Sequence, residues 1–301
     1  MAISTVAVPG RLPIGARLGA YVALTKPRII ELLLITTLPT MVVAQRGLPP
    51  VWLMVATLLG GALAAGGANA INMVVDRDID KLMHRTSKRP LVTGAVTPRA
   101  ALTFAIALEV AAFCELWDWV NLLSACLAIS ATLFYVFVYT LWLKRTSSQN
   151  IVIGGAAGAV PVLVGWAAVT DSLSWTPVVL FAIIFVWTPP HFWALAVRYN
   201  DDYQAASVPM MPVVATFRRT ATEIIAYTVI MVALTLVLAP VAHLGTVYVV
   251  SAALLGLGFI AMAVRLWIQA TPKASMQLFS YSITYLTLLF VVMAVDVFVQ
   301  R

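Results

Sequence analysis

The sequence predicts an all-α polytopic membrane protein with nine transmembrane helices, its N-terminus in the cytoplasm and its C-terminus outside. Three observations lead to this prediction. Of the 301 residues, 62% are hydrophobic and only 10% are charged, whereas a soluble domain carries about 25% charged residues. The apolar runs are long and lack strict alternation, which indicates helices rather than the strands of a membrane barrel. Basic residues are segregated between alternate loops, which fixes the orientation.

The nine spans follow from the apolar runs, because a helix needs about 20 mostly apolar residues to cross a bilayer. Their predicted limits are 22–43, 51–75, 100–118, 120–142, 150–169, 176–197, 221–242, 245–268 and 277–299. Only Asp118 and Trp119 separate the third span from the fourth, so this boundary is the least sharply defined. We expect one membrane domain over residues 1–301, with residues 1–20 as a flexible cytoplasmic tail.

The distribution of Lys and Arg places the two ends of the chain. Seventeen of the 19 lie on the side of the N-terminus, whereas Arg46 and Arg301 fall on the other side. By the positive-inside rule the first side is cytoplasmic. The basic residues on this one side of the membrane account for most of the net charge of +7. The expected partner is therefore a lipid bilayer and not nucleic acid. The first 20 residues lack the pattern of a signal peptide, and Pro9, Gly10 and Pro13 argue against a mitochondrial presequence, which favours a bacterial plasma membrane.

Residues 69–94, NAINMVVDRDIDKLMHRTSKRPLVTG, form a charged stretch at the cytoplasmic end of the second span. Asn72, Asp76 and Asp80 are four residues apart, and on a helix each step of four advances about 40° and 6 Å, so they form a slightly slanted stripe. Such a stripe repels itself unless a cation neutralises it. Oxygen ligands of this kind suit Mg²⁺, which binds through a few carboxylates together with substrate phosphates. Asp78 lies on the opposite face, where we expect it to pair with a neighbouring Arg or Lys.

Basic residues follow the stripe closely, at Arg85, Lys88 and Arg89. Anionic ligands for a metal followed by cations for phosphate are the arrangement that a diphosphate substrate needs. The alternative is a solvated cap of the span, with Arg77 and Lys81 as surface partners of the carboxylates. We favour a functional site, because polar clusters at a membrane interface are costly.

A second acidic cluster, Asp201 and Asp202, ends the sixth span within HFWALAVRYNDDYQAASVPMMPVV. Pro209 and Pro212 then stop any helical continuation. Two spans that are distant in sequence thus deliver carboxylates to one face of the membrane, where they can share a pocket. A solvated loop is an equally good interpretation for Asp201.

Basic residues also lie at the cytoplasmic ends of the fourth and first spans. Lys144 and Arg145 end the fourth span, and TKPR (25–28) opens the first. Positive-inside anchoring explains both pairs without any function. The coincidence of Lys144 and Arg145 with two acidic clusters also fits a phosphate-binding role, and both interpretations stay open.

His191 follows Thr188, Pro189 and Pro190 inside the sixth span. Two prolines free backbone carbonyls and kink a helix, so the imidazole can simply bind those carbonyls. A histidine in a membrane cavity can also ligate iron or shuttle a proton. The residues alone do not separate these interpretations.

Four stretches together resemble the haem-farnesylating members of the UbiA superfamily of intramembrane prenyltransferases. They are NAINMVVDRDID, MHRTSKRPLVTG, YTLWLKRTSSQNIVIGGAAGAVPVLVGW and HFWALAVRYNDDYQAASVPMMPVV. The resemblance covers nearly the whole chain, from TKPR to the ninth span, and the combination is specific although a single acidic motif is not. It implies nine helices around a central cavity, with Mg²⁺ and a prenyl diphosphate at the cytoplasmic end.

The resemblance also implies roles for individual residues. The catalytic residues would be Asn72, Asp76, Asp80 and Asp202, with Asp76, Asp80 and Asp202 as Mg²⁺ ligands. The predicted diphosphate contacts are then Arg85, Lys88, Arg89, Tyr139, Lys144 and Arg145. The chain departs from the superfamily at Met73, where many members have Asp. In the second motif Arg198 lies four residues before Asp202 and Ala206 four after, which weakens the case for two equivalent metal sites.

The implied reaction joins farnesyl diphosphate to haem B. A vinyl group of haem B gains a hydroxyethylfarnesyl tail, with addition of water, giving haem O and diphosphate. Because haem iron commonly takes a His ligand, His191 becomes the predicted haem ligand. The implied protein partners are haem A synthase and other proteins of terminal-oxidase assembly. Two alternatives stay open: a prenyltransferase for an aromatic quinone precursor, and a cation transporter that uses the carboxylates.

Overall fold

The computed structural model describes residues 13–300, except for the side chains of residues 29 and 31–34. Residues 1–12 and Arg301, with their predicted places in the tail and at the outer terminus, lie outside the described residues. Within 13–300 all regular structure is helical, as predicted. The long helices are α1 Ile14–Thr25, α2 Pro27–Gln45, α3 Val51–Val75, α4 Pro98–Trp119, α5 Leu122–Thr146, α6 Asn150–Thr170, α7 Trp175–Arg198, α8 Phe217–Val241, α9 Thr246–Gln269 and α10 Pro272–Val299.

Helices α3 to α10 are eight helices long and apolar enough to cross a membrane. Their limits agree with eight of the predicted spans to within five residues at each end. The agreement is expected, because hydropathy measures the same length of apolar helix that a bilayer requires. Helix α2 contains the shorter apolar segment Ile35–Gln45, and the ninth span stays a prediction.

The first span does not begin where the sequence predicts it. Instead of one helix from residue 22, α1 ends at Thr25 and α2 starts at Pro27. Lys26 between them has φ 54° and ψ 61°, a left-handed conformation that ends a helix. A residue before proline is disfavoured in the helical region, and proline suits the first position of the next helix. Residues 14–20 of the predicted tail are helical, as part of α1.

Two groups of helices pack side by side, with α2 and α6 between them. Helices α3, α4 and α5 form one group, and α7 to α10 form the other. Helices α3 and α4 approach closely, since a Cβ on Gly60 would lie 2.4 Å from the Leu116 side chain. The second group encloses the larger apolar core, with Trp193, Tyr248, Phe259 and Phe290 among its fully buried side chains.

The connections lie at two ends of the bundle. The basic end carries residues 76–97 and 199–216, and the opposite end carries residues 242–245. At the opposite end Asp296 accepts hydrogen bonds from the backbone N–H groups of Gly245 at 2.6 Å and Tyr248 at 3.1 Å. Asp296 of α10 thereby caps the start of α9. This contact is structural, whereas the predicted site residues of the loops lie at the basic end.

Candidate active site

The two predicted acidic clusters meet at the basic end, together with the ends of α1 and α5. The contacts that join them are Lys26 to Asn72, Lys144 to Asp76, and Asp202 to the backbone of residues 84 and 85. The segments come from distant parts of the chain, and the alternating direction of the helices brings them to one end.

The predicted stripe is buried, and each of its carboxylates has its own cation. Asp76 is 0% and Asp80 2% exposed. Lys144 pairs with Asp76, and a guanidinium nitrogen of Arg89 lies 2.7 and 2.6 Å from the two oxygens of Asp80. The Asn72 amide donates to Asp76 Oδ2 at 2.8 Å. Buried carboxylates are tolerated only with such partners, so the stripe is a charge-paired unit and not a solvated cap.

A π-helix in α5 brings the partners of α3 into place. It runs from Phe134 to Leu143 and leads directly into Lys144. Thr140 in it accepts a hydrogen bond from the Asn72 amide at 3.1 Å, and Tyr139 stacks on Tyr135 with ring centroids 5.4 Å apart. Since π-helical turns are frequent at functional sites, this segment supports a site at the junction of α3 and α5.

Lys26, for which the sequence alone favours a membrane anchor, contacts the stripe. Its ammonium donates to Asn72 Oδ1 at 2.8 Å, from the break between α1 and α2. Burial lowers the pKa of Lys26 to about 7, and repulsion from Arg89 and Lys144 acts in the same direction. An anionic ligand would counter this effect. The signal in the sequence is Lys-Pro inside an apolar run, because the proline forces Lys26 out of the helix.

Asp202 lies against the loop that follows the stripe. Its two carboxylate oxygens accept hydrogen bonds from the backbone N–H groups of His84 at 3.1 Å and Arg85 at 3.0 Å. Over residues 13–300, so far as side chains are described, no three His, Cys, Asp or Glu side chains converge as a metal-ligand set. The structure therefore does not gather Asp76, Asp80 and Asp202 around one point.

Of the other predicted phosphate contacts, Arg145 and Lys88 lie further out. Arg145 makes two hydrogen bonds of 2.7 Å to Asp78, which is the predicted pairing of that aspartate, and lies 3.8 Å from Asp76 Oδ1. The hydrogen bonds from Arg145 lower the pKa of Asp78 to about 2. Lys88 is exposed. Arg85 lies over the Tyr199 ring, 5.3 Å from its centroid.

One carboxylate oxygen at the centre of the site lacks a hydrogen bond. Asp76 Oδ1 is buried and has no hydrogen-bond partner, an arrangement that is costly for a carboxylate. The oxygens of Asp76 and Asp80 are hard donors, which Mg²⁺ prefers. The residues present therefore fit a divalent cation at the stripe.

His191 lies deep in the second helix group and is 6% exposed. Its ring is stacked between Trp187 and Phe279, with centroid distances of 4.3 and 4.6 Å. Its Nδ1 lies 2.7 Å from the Ser282 hydroxyl, which itself donates to the Phe279 carbonyl at 2.6 Å. Because that hydroxyl has one proton, Nδ1–H donates to it, and a neutral ring keeps a lone pair on Nε2. The partner is thus a hydroxyl of α10, not a carbonyl freed by the prolines.

Comparison with known proteins shows to which family the chain belongs. The model of the UbiA prenyltransferase family matches residues 33–291. A curated relative from Renibacterium salmoninarum, named protoheme IX farnesyltransferase, is 54% identical, over 97% of this chain and 93% of the relative. A relative of the same name from Streptomyces avermitilis is 51% identical, over 99% of this chain and 100% of its own length.

Solved structures show the same fold. A digeranylgeranylglyceryl phosphate synthase is similar with a TM-score of 0.77 at 15% identity, over 93% of this chain and 98% of its own. A UbiA homologue from Archaeoglobus fulgidus bound to GPP and Mg²⁺ is similar with a TM-score of 0.63 at 18% identity, over 91% of this chain and 99% of its own. By family model, by relatives of full length and by fold, this chain belongs to the UbiA prenyltransferase family.

Proposed function

We propose that this protein transfers the farnesyl group of farnesyl diphosphate to a vinyl group of haem B, with addition of water, giving haem O and diphosphate. Its full-length similarity to proteins named for this activity supports the choice of substrates. The structural observation that carries the proposal is the buried stripe, in which Asp76 and Asp80 are each held by a basic side chain. That arrangement suits a prenyl diphosphate better than a transported cation, because the site already contains cations for phosphate.

The main contribution of this chain to the reaction is the positive charge of its basic residues. Ionisation of the allylic C–O bond leaves the electron pair on the diphosphate, so negative charge develops beside Lys26, Arg89 and Lys144. Preorganised positive charge at that point stabilises the transition state. The π electrons of the haem vinyl group then form the new C–C bond, and water adds to the resulting cation and loses a proton. A neutral alkene is the nucleophile, so no strong general base is needed.

Asp76 and Asp80 would hold one Mg²⁺, with Asp76 Oδ1 as the oxygen that lacks a hydrogen bond. When bound, the metal supplies positive charge that stabilises the departing diphosphate. Lys144 and Arg89 now neutralise these carboxylates, and we expect them to turn to phosphate oxygens when substrate binds. The exchange keeps every buried charge paired before and after binding.

His191 is the proposed ligand of the haem iron, through Nε2. A ligating histidine usually donates its other ring N–H to a fixed acceptor, which sets the ring orientation. Ser282 fills that role at 2.7 Å from Nδ1, and the flanking rings of Trp187 and Phe279 hold the imidazole in place. The apolar surroundings would also keep water from the allylic cation until the vinyl group has attacked.

We place the protein in the bacterial plasma membrane with its basic end in the cytoplasm. The relatives are bacterial, and the sequence predicts that 17 of the 19 Lys and Arg lie on that side. Farnesyl diphosphate would then reach the site from the cytoplasm, and haem O would leave toward haem A synthase or other proteins of oxidase assembly.

The direct test is incubation of the purified full-length protein with haem B, farnesyl diphosphate and Mg²⁺, followed by mass analysis of the haem. We expect a haem product with the mass of haem O. Parallel reactions with 4-hydroxybenzoate in place of haem test the quinone-precursor alternative, and cation flux into liposomes tests the transporter. Farnesylation of the aromatic acid with unchanged haem would contradict the proposed acceptor.

Arg89→Ala and Lys144→Ala are expected to weaken farnesyl diphosphate binding while haem binding stays intact. Losing one charge-assisted contact costs about 1.5–3 kcal/mol, so affinity should fall roughly tenfold or more. Calorimetry in nanodiscs measures both affinities. Lys81→Ala is the matched control, because Lys81 is exposed in the same loop. If the variants bind the diphosphate as tightly as the control, the two cations only anchor the topology.

Gly154→Ala is expected to impair the site through Tyr139. A Cβ on Gly154 would lie 2.3 Å from the Tyr139 ring, so the ring of the π-helix must shift. We expect haem O formation to fall roughly tenfold or more, because a displacement of about 1 Å at a reacting centre can cost a hundredfold. Gly158→Ala, one turn further along α6, meets nothing within 4 Å and should behave as wild type. Equal activity of both variants would rule out a role for the Tyr139 position.

A further inference from the structure

We propose that Asn150, the first residue of α6, is a substrate-binding residue whose side-chain amide donates a hydrogen bond to the diphosphate of the prenyl donor. The proposal rests on the proposed function, since it takes farnesyl diphosphate as the substrate. It adds a neutral contact to a site whose other predicted phosphate contacts, apart from Tyr139, are all cations.

The first support is that the Asn150 amide is buried without a hydrogen bond. Asn150 is 0% exposed, and neither its Nδ2 nor its Oδ1 has a hydrogen-bond partner in the part of the chain that the structure describes. Asn121, at the opposite end of the α5–α6 pair, is different. Its Nδ2 donates to the Ala167 carbonyl at 2.7 Å and its Oδ1 accepts the Ser124 N–H at 2.8 Å. A buried amide is costly unless it is hydrogen-bonded, so the Asn150 side chain indicates a ligand.

The second support is that Asn150 lies on the face of α6 that packs against the π-helix. Gly154 follows Asn150 by four residues and so lies on the same face. A Cβ on Gly154 would lie 2.3 Å from the Tyr139 ring. The connection from the π-helix is also short, because the Asn150 N–H donates to the Ser147 carbonyl at 3.2 Å, only three residues after Lys144. The amide therefore belongs to the same corner of the bundle as Lys144.

The residue after it places the start of α6 between the two acidic clusters. Ile151 is buried and packs in one apolar cluster with Ile79 and Tyr203. Ile79 directly precedes Asp80 of the stripe, and Tyr203 directly follows Asp202. A diphosphate held between the stripe and the second cluster would thus lie at the start of α6.

The third support is that, among the reactants, the diphosphate fits the amide best. An ionised diphosphate offers acceptors for Nδ2, and water carried with it can donate to Oδ1. The farnesyl chain and the vinyl edge of haem offer neither, and would leave the amide unpaired. The haem propionates lie on the porphyrin edge opposite the vinyl groups, so they point away when a vinyl group reacts. Asn150 also begins a helix of 21 residues, whose positive end favours negative charge.

Thermal unfolding of the full-length protein distinguishes a ligand-binding amide from a structural one. In Asn150→Leu the midpoint without ligand should equal or exceed that of wild type, because an apolar group of similar size replaces an unpaired polar one. Farnesyl diphosphate with Mg²⁺ should raise the wild-type midpoint and raise that of the variant less. Asn121→Leu is the matched control. Both of its amide groups are hydrogen-bonded, so it should lower the midpoint without ligand and keep the ligand-induced rise.

Calorimetry in nanodiscs measures the affinity directly. In Asn150→Leu and Asn150→Ala, farnesyl diphosphate affinity should fall roughly tenfold, since each variant loses a hydrogen bond to a charged group, while haem B affinity should not change. The smaller alanine decides the question by affinity even where leucine does not fit. Wild-type affinity for farnesyl diphosphate in both variants overturns the assignment. So does a lowered midpoint of Asn150→Leu with the full ligand-induced rise, which would make the amide structural.

The same measurements keep this assignment apart from the proposed function, because none of them requires haem O to form. Arg89→Ala is measured beside the Asn150 variants. If Arg89→Ala weakens farnesyl diphosphate binding and the Asn150 variants do not, the assignment of Asn150 fails and the diphosphate site stands. If wild-type protein does not bind farnesyl diphosphate, the proposed function fails, and the assignment of Asn150 fails with it.

Discussion

Asp76→Asn is expected to lower haem O formation by roughly a hundredfold or more, with the protein still inserted and folded. The substitution keeps the size of the side chain but removes the negative charge that Lys144 neutralises. It also replaces one of the two carboxylate oxygens, the hard anionic donors that Mg²⁺ prefers, with an amide NH₂ group. Asp76 is fully buried, so solvent does not replace the lost charge. Lys144 would be left without its carboxylate partner, and the metal would lose a ligand at the point where the diphosphate leaves.

Asp80→Asn should give a loss of similar size, because Asp80 is 2% exposed and is held by Arg89 through both of its oxygens. The measurement is haem O produced per protein at saturating Mg²⁺ and farnesyl diphosphate. Asp78→Asn is the matched control: it removes the same charge from the short helix Arg77–Asp80 that also carries Asp80, but that side chain is 63% exposed and binds Arg145 outside the stripe. Near-normal turnover in both Asp76→Asn and Asp80→Asn would contradict the metal assignment.

The membrane helices could be predicted from the sequence because one physical quantity decides them. A run of apolar residues long enough to cross a bilayer has few other structures open to it, and α3 matches its predicted span at both ends, Val51 and Val75. The break at Lys26 was not predicted, although Pro27 is the local signal for it. Hydropathy is averaged over many residues and so misses a single break, whereas the point at which one helix ends and the next begins depends on single residues such as Pro27.

The sequence predicts at which end of the bundle the charged residues of the site lie, but not which of them form pairs. Alternating spans place Asp76 and Lys144 on one side of the membrane, but their contact across 68 positions depends on how the π-helix of α5 turns against α3. The contacts of Asp202 are harder still to predict, because its partners are backbone N–H groups, which any residue except proline supplies. No side-chain pattern in the sequence predicts which carboxylate accepts hydrogen bonds from backbone N–H groups.

His191→Ala is expected to abolish most haem O formation and to change the Soret band of bound haem B. The proposed ligand atom, Nε2, is lost, and iron in an apolar site has no strong replacement. Stability alone cannot decide the role, since the ring also packs between Trp187 and Phe279 and binds Ser282. The spectrum is therefore the primary readout, and added imidazole should restore the wild-type band by filling the space that the ring leaves.

Ser282→Ala gives the second half of this prediction. It keeps the His191 ring but removes the acceptor of Nδ1–H, which lies 2.7 Å away. Loss of such an outer partner typically costs about 10–100-fold in affinity or activity, so we expect reduced haem O formation and a smaller shift of the Soret band than in His191→Ala. His243→Ala is the control, because His243 is an exposed histidine at the opposite end of the bundle and should leave the spectrum unchanged. A wild-type Soret band in His191→Ala, with lowered thermal stability, would mean that the imidazole is a packing residue joined to α10 and that another group binds the iron.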